Sequence, residues 1–147
     1  MDIVNKLSEM QDTELALVID RFMRRIHFGL QKRAPDFDRK AVGPGGGIVL
    51  MTLADMGCTS MHALTDRVAR DKSQMTRTIR SLETKGLVKR ENSQADGRVS
   101  LVSLTAEGHV VVGELMETVA EVVNEILEPI SADEKQTLKK LFDRIDC

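Results

Sequence analysis

Met75, Ile79 and Leu82 are spaced four and three apart, and five residues after the last of them the chain turns β-prone. "LVKRE" and "RVSLVSL" flank "NSQADG", whose Asp96-Gly97 pair is a strong turn signal. An amphipathic helix followed at once by a hairpin leaves few folds open. On the helix the three apolar residues share a buried stripe, and Ser73, Arg77, Arg80 and Thr84 project from the opposite face. Gln74 and Thr76 lie on the shoulders of its first turn, and Gly86 is expected to end it in a left-handed conformation.

The elements on either side are helical. Leu15, Ile19, Phe22 and Ile26 recur at four, three and four, which predicts an amphipathic helix from Asp12 to Ala34, with Pro35 setting its end. "PDFDRKAVGPGGG" reads as a loop. "GIVLMTLADMG" is apolar on nearly every side, as in a short helix at a domain centre, with Gly57 closing it. "SMHALTDRVAR" is predicted as another helix, N-capped by Ser60 with Met61, Leu64 and Val68 on one face. After the hairpin, Thr105 caps a long helix in which Val112, Leu115, Val119, Val122 and Ile126 form a heptad-like seam. Pro129 ends it. Ser131 to Glu134 is a capping box for a last helix, whose Leu138, Leu141, Phe142 and Ile145 are expected to face inward.

The fold class is therefore mainly α with a small antiparallel β-wing. A helix-turn-helix lobe spans 44–104, and helices of 12–34 and 105–147 frame it within a single domain of 1–147. No apolar run approaches the about 18 residues of a membrane span, and the first residues lack the pattern of a secretory signal, so a cytoplasmic protein is expected. Without tryptophan or tyrosine, stacking platforms for single-stranded nucleic acid are not expected.

Charge is unevenly placed. The whole chain carries -2, yet residues 62–104 hold nine Lys/Arg against five Asp/Glu, a local +4. Residues 105–147 hold four against ten, a local -6. A positive middle in an acidic chain reads as a local polyanion footprint. A helix that enters the DNA major groove must bury one stripe and present polar or basic groups on the other. Arg77 and Arg80 can reach guanine edges or phosphates, while Ser73, Gln74 and Thr76 can bond bases or backbone near the helix N-terminus. Lys72, Lys89 and Arg90 are candidates for phosphate contact. Arg98, near the hairpin tip, can enter the adjacent minor groove.

The stretch "LTDRVARDKSQMTRTIRSLETKGLVKRENSQADGRVSLVSLTAEG" resembles the winged-helix core of the MarR family of bacterial transcriptional regulators. The matching features are Leu64 and Ala69, then Thr76, Leu82, Gly86, Leu87, Val88 and Arg90. Asp96-Gly97-Arg98 and Leu104-Thr105-x-x-Gly108 follow. The resemblance implies a homodimer that binds a pseudo-palindromic operator in double-stranded DNA. Its recognition helix, 72–85, would lie in the major groove. Its wing, 87–104, would place Arg98 in the minor groove, braced by Asp96. The family often has a second basic residue where this chain has Gly97. The resemblance further implies a repressor released by a small-molecule effector. Candidate dimerisation residues are Leu15, Ile19, Phe22, Leu115, Val119, Val122, Ile126, Leu138, Leu141 and Phe142.

Other readings have less behind them. Gly43 to Gly47 lacks the Gly-Lys-Ser/Thr ending of a phosphate loop and reads as an inter-helix loop. Cys58 raises the alternative of a redox-sensing regulator, against the default of a small packed residue after a buried helix. Cys147 reads as exposed and incidental. His27, His62 and His109 lack the spacing of a local metal site, and no metal or cofactor is expected. A protein-binding winged helix is a further alternative. No Ser/His/Asp, Cys/His or paired-carboxylate arrangement points to an enzyme.

Overall fold

The structure, a computed structural model, describes residues 2–38 and 40–146. Among these residues six helices and three strands follow in the order α1 (Ile3–Phe37), α2 (Gly43–Met56), β1 (Thr59–Ser60), α3 (Met61–Val68), α4 (Lys72–Thr84), β2 (Val88–Asn92), β3 (Ser100–Leu104), α5 (Ala106–Ile126) and α6 (Ala132–Ile145). They fall into two compact units. One is Ala34–Thr118, and the other joins residues up to Arg33 with those from Val119 onward. No helix of the described residues is long and apolar enough to cross a membrane.

Within the first unit the core is aliphatic. Val49, Leu50 and Leu53 of α2 meet Leu64 of α3 and Met75, Ile79 and Leu82 of α4, all essentially without exposure. Leu87, Val88, Val102 and Val112 complete the cluster. Each large aliphatic chain so buried contributes about 1.5–3 kcal/mol. The hairpin pairs Val88 with Leu104 and Arg90 with Val102 in antiparallel register. The order β1-β3-β2 adds a third strand that the sequence reading does not contain, because two residues are too short to show a period.

Local chemistry explains most boundaries. Ser60 Oγ accepts from Ala63 N at 3.0 Å, and Ser131 and Glu134 form the reciprocal capping box that starts α6. Glu134 is held below the ordinary carboxylate range first by its bond to the Ser131 backbone and then by the Ser131 hydroxyl. At the end of α4, Gly86 has φ 75, Gly86 N–H donates to Glu83 O, and Leu87 N–H donates to Leu82 O. This is a Schellman ending with buried Leu82 and Leu87 as its apolar pair.

Three expectations are corrected. The first helix starts at Ile3 rather than Asp12 and passes Pro35 to end at Phe37. Proline removes only one backbone bond so close to the end, and Asp38 N–H still donates to Ala34 O at 2.9 Å. Gly43 to Gly47 is not a loop but the first turns of α2, with Pro44 where no intrahelical N–H partner is needed. Close packing surrounds Gly45, Gly46 and Gly47. A Cβ at Gly45 would lie 2.7 Å from the Arg70 guanidinium, one at Gly46 2.6 Å from Val42, and one at Gly47 3.2 Å from Leu115. Finally, α6 buries no side chain fully: Leu141, Phe142 and Ile145 are exposed and Leu138 is half-buried.

In the second unit, Val122 is buried beside Gly29, whose added Cβ would stand 2.7 Å from it. Arg33 donates to Gly29 O at 3.1 Å and pairs with Glu125 at 2.7 Å. Two residues of the predicted seam between copies, Leu115 against Gly47 and Val122 against Gly29, thus pack within the chain itself.

Gly108 and Gly113 test this packing. A Cβ at Gly108 would sit 2.1 Å from the carbonyl oxygen of Leu87, whereas Gly113 faces open space. Gly108→Ala is expected to lower unfolding free energy by about 3 kcal/mol, the upper range of overpacking. Gly113→Ala is expected to raise it by up to about 1 kcal/mol. Urea unfolding of both variants, monitored by circular dichroism, checks the pair.

Candidate nucleic-acid interface

The polar face of α4 is built from its N-terminus. Asp71 caps the helix, its carboxylate accepting from Gln74 N at 2.8 Å. Sequence reasoning passed over this residue, although an Asp three positions before Gln74 and just ahead of an amphipathic stripe is the signal for it. Lys72, Ser73, Gln74, Arg77 and Arg80 are exposed. Thr76 is half-buried and donates its hydroxyl to Lys72 O at 2.8 Å, which leaves its oxygen lone pairs available. Among the described residues no carboxylate pairs with Lys72, Arg77 or Arg80. Unneutralised guanidinium groups on one helix face form an anion-seeking surface.

The basic residues of the wing are placed differently. Arg90 directs both Nε and Nη2 at one Glu83 carboxylate oxygen, each at 2.9 Å, and ties β2 to the last turn of α4. Lys89 lies 3.5 Å from Glu91. A phosphate would therefore compete with an existing carboxylate for either residue. Sequence reasoning missed Glu83, because its partner lies across an element boundary, seven residues away.

At the tip, Asp96 accepts from Arg98 N at 3.1 Å and lies 3.5 Å from Arg98 Nε. The Arg98 side chain is 94% exposed. Val99 N–H donates to Asp96 O at 2.9 Å and Ser93 N–H to Val99 O at 2.8 Å, so the turn is closed beneath the arginine. Gly97 has open space where a side chain would stand.

A family model for the MarR family matches residues 48–100, the segment from α2 to the start of β3. Over those residues the chain is similar to the MarR family. Solved structures share the fold over nearly the whole length. Wild-type MarR from E. coli in its apo form has a TM-score of 0.73 at 22% identity, covering 91% of this chain and 94% of that one. The PcaV transcriptional regulator from Streptomyces coelicolor, in complex with its natural ligand, has 0.67 at 23% identity, with 88% and 89% covered. BpsR from Bordetella bronchiseptica, whose DNA binding is regulated by 6-hydroxynicotinic acid, has 0.69 at 20% identity, with 91% and 99% covered. At such identities the likeness is one of fold.

The cysteine and histidine candidates stand apart from this surface in chemistry. Cys58 is a free thiol and is exposed in the bend between α2 and β1, so the expectation of a packed residue does not hold. Cys147 lies outside the described residues. His62 sits 3.4 Å from Asp66, one helical turn away on α3. Among the described residues no three His, Cys, Asp or Glu side chains converge to hold a metal ion.

The Glu83–Arg90 brace yields a prediction for this lobe. Both groups are about one-third exposed, so solvent screening keeps the pair modest. Arg90→Met and Glu83→Gln are each expected to cost about 1 kcal/mol, with the double variant costing no more than either alone. Denaturant unfolding of the three proteins measures the coupling.

Proposed function

We propose that the chain is a sequence-specific repressor that binds a pseudo-palindromic operator as a homodimer and is released by a small-molecule effector. The observation that carries the DNA reading is the pair Arg77 and Arg80, exposed on α4 without acidic partners among the described residues. In this reading α4 enters the major groove. Arg77 and Arg80 then address guanine edges or phosphates, and Ser73, Gln74 and Thr76 take the polar contacts near the helix start. Arg98 enters the minor groove, and Asp96 holds its backbone and guanidinium in place. Lys72 takes a phosphate. Lys89 and Arg90 bear on DNA indirectly, through the strand and helix that they brace.

The homodimer rests on exposed apolar surface. Leu15 is 60% exposed and Ile19 51% on α1, and Leu141 is 49% and Phe142 51% on α6. Large aliphatic and aromatic groups left in water on two helices call for a covering surface. A second copy supplies the same helices with two-fold symmetry, and symmetry matches half-sites spaced by one turn of DNA. The effector reading draws on PcaV, whose structure holds its natural ligand, and on BpsR, whose DNA binding 6-hydroxynicotinic acid regulates.

Fluorescence anisotropy against a duplex selected from a random pool tests the DNA reading. Binding is expected to fall steeply with salt, and Arg77→Ala is expected to cost about 1–3 kcal/mol and relax selectivity. Arg98→Ala is expected to weaken binding by about tenfold, or about 1.4 kcal/mol. Weak binding indifferent to salt and to both arginines would overturn this reading and favour a protein-binding winged helix.

For the dimer, a Leu141→Glu and Phe142→Glu double variant is expected to sediment as a monomer while keeping its helical circular dichroism. Unchanged sedimentation as a dimer would remove α6 from the interface.

A further inference from the structure

The C-terminal end of α4 is held by a residue from far earlier in the chain. The last carbonyls of a helix have no intrahelical donors and carry the negative end of its dipole. Lys40 Nζ donates to one of them, Lys85 O, at 3.2 Å. Lys85 returns the contact, its own Nζ donating to Ala41 O at 2.8 Å. Each lysine is thus bound to the backbone of the other's segment. Lys40 also bonds and ion-pairs with the Glu107 carboxylate in the first turn of α5.

The residues next to Lys40 are themselves bonded. Asp38 accepts from Val42 N at 2.8 Å and Gly43 N at 2.9 Å, and Ala41 N–H donates to Asp38 O at 3.1 Å. Ala41 has φ 51, a left-handed conformation unusual for a residue with a Cβ. Such a conformation persists where surrounding bonds over-determine it. The bonds of Asp38 to Ala41, Val42 and Gly43 give the backbone beside Lys40 a defined course.

We propose that Lys40 is a positioning residue for DNA recognition. It sets the C-terminal end of α4 through Lys85 O and ties that end to α5 through Glu107. The proposal rests on α4 being the recognition helix. Its geometry reverses the usual electrostatic expectation for one residue. If Glu107 were only a negative charge near a DNA-binding lobe, its removal would tighten binding. As the partner that fixes Lys40, its removal loosens α4 and weakens specific binding.

Two measurements on the full-length protein test this. The first is hydrogen–deuterium exchange without DNA, read at Gly86 and Leu87, whose amides close the end of α4. Lys40→Met and Glu107→Gln are each expected to speed exchange there by about fivefold. The second is anisotropy with a duplex selected from a random pool by the wild-type protein. Each variant is expected to bind it about tenfold more weakly, the double variant no worse than Lys40→Met alone. Binding to unselected duplex and the salt slope should remain as in wild type.

Unchanged exchange at Gly86 and Leu87 would overturn the clasp whatever DNA does. Tighter binding by Glu107→Gln, with a salt slope lowered by about one in Lys40→Met, would make Lys40 a phosphate contact instead. A wild-type protein that selects no duplex would remove the DNA role from both α4 and Lys40, even with the exchange difference present.

Discussion

The first turn of α5 meets the backbone of Leu87 more closely than any side chain would allow, and the lobe is organised around that approach. Leu87 O accepts from Thr105 N at 3.0 Å, and Thr105 Oγ1 donates to Gly86 O at 2.6 Å while accepting from Gly108 N at 3.0 Å. The two ends of the wing are thereby pinned together at the point where α4 stops. Gly86 supplies the left-handed turn that releases the chain from α4, and Gly108 supplies the absence of a Cβ that lets α5 come in. With that junction fixed, the hairpin leaves in one direction only, and its register carries Arg98 out to the tip. The polar face of α4 and the wing arginine are presented by one lobe because this backbone knot joins their supports.

How much of this could be read from the sequence depends on whether the cause was local. The end of α4 was legible, because Gly86 after an amphipathic stripe has a local meaning, and so was the Ser131–Glu134 box. The hairpin was legible from its β-prone runs and its Asp-Gly turn. By contrast, the glycines of "GPGGG" look like a loop until their neighbours are known. Arg70 and Leu115 come from distant parts of the sequence, and their approach, with that of Val42 just before the helix, explains the glycines at 45, 46 and 47. Gly108 is similar, since the sequence shows a motif while its reason is the carbonyl of Leu87. On the candidate surface, the exposed face of α4 follows from helical period alone. The engagement of Arg90 by Glu83 does not, because ion-pair partners across an element boundary have no fixed spacing.

The slightly acidic net charge of the chain hides how its cations differ in their partners. Arg33, Arg67 and Arg90 all have carboxylates within 4.0 Å, as do Lys40 and Lys89. These residues hold helices, strands and loops to one another and add little field beyond their partners. Among the described residues Lys72, Arg77 and Arg80 have no such partners, and they lie on the helix face that the core stripe turns outward. On that face the three cations stand without a carboxylate partner among the described residues, whereas Lys89 and Arg90 of the adjoining strand are both paired. A protein that must attract a polyanion to one helix, without adhering along its whole surface, needs that arrangement more than it needs a positive total.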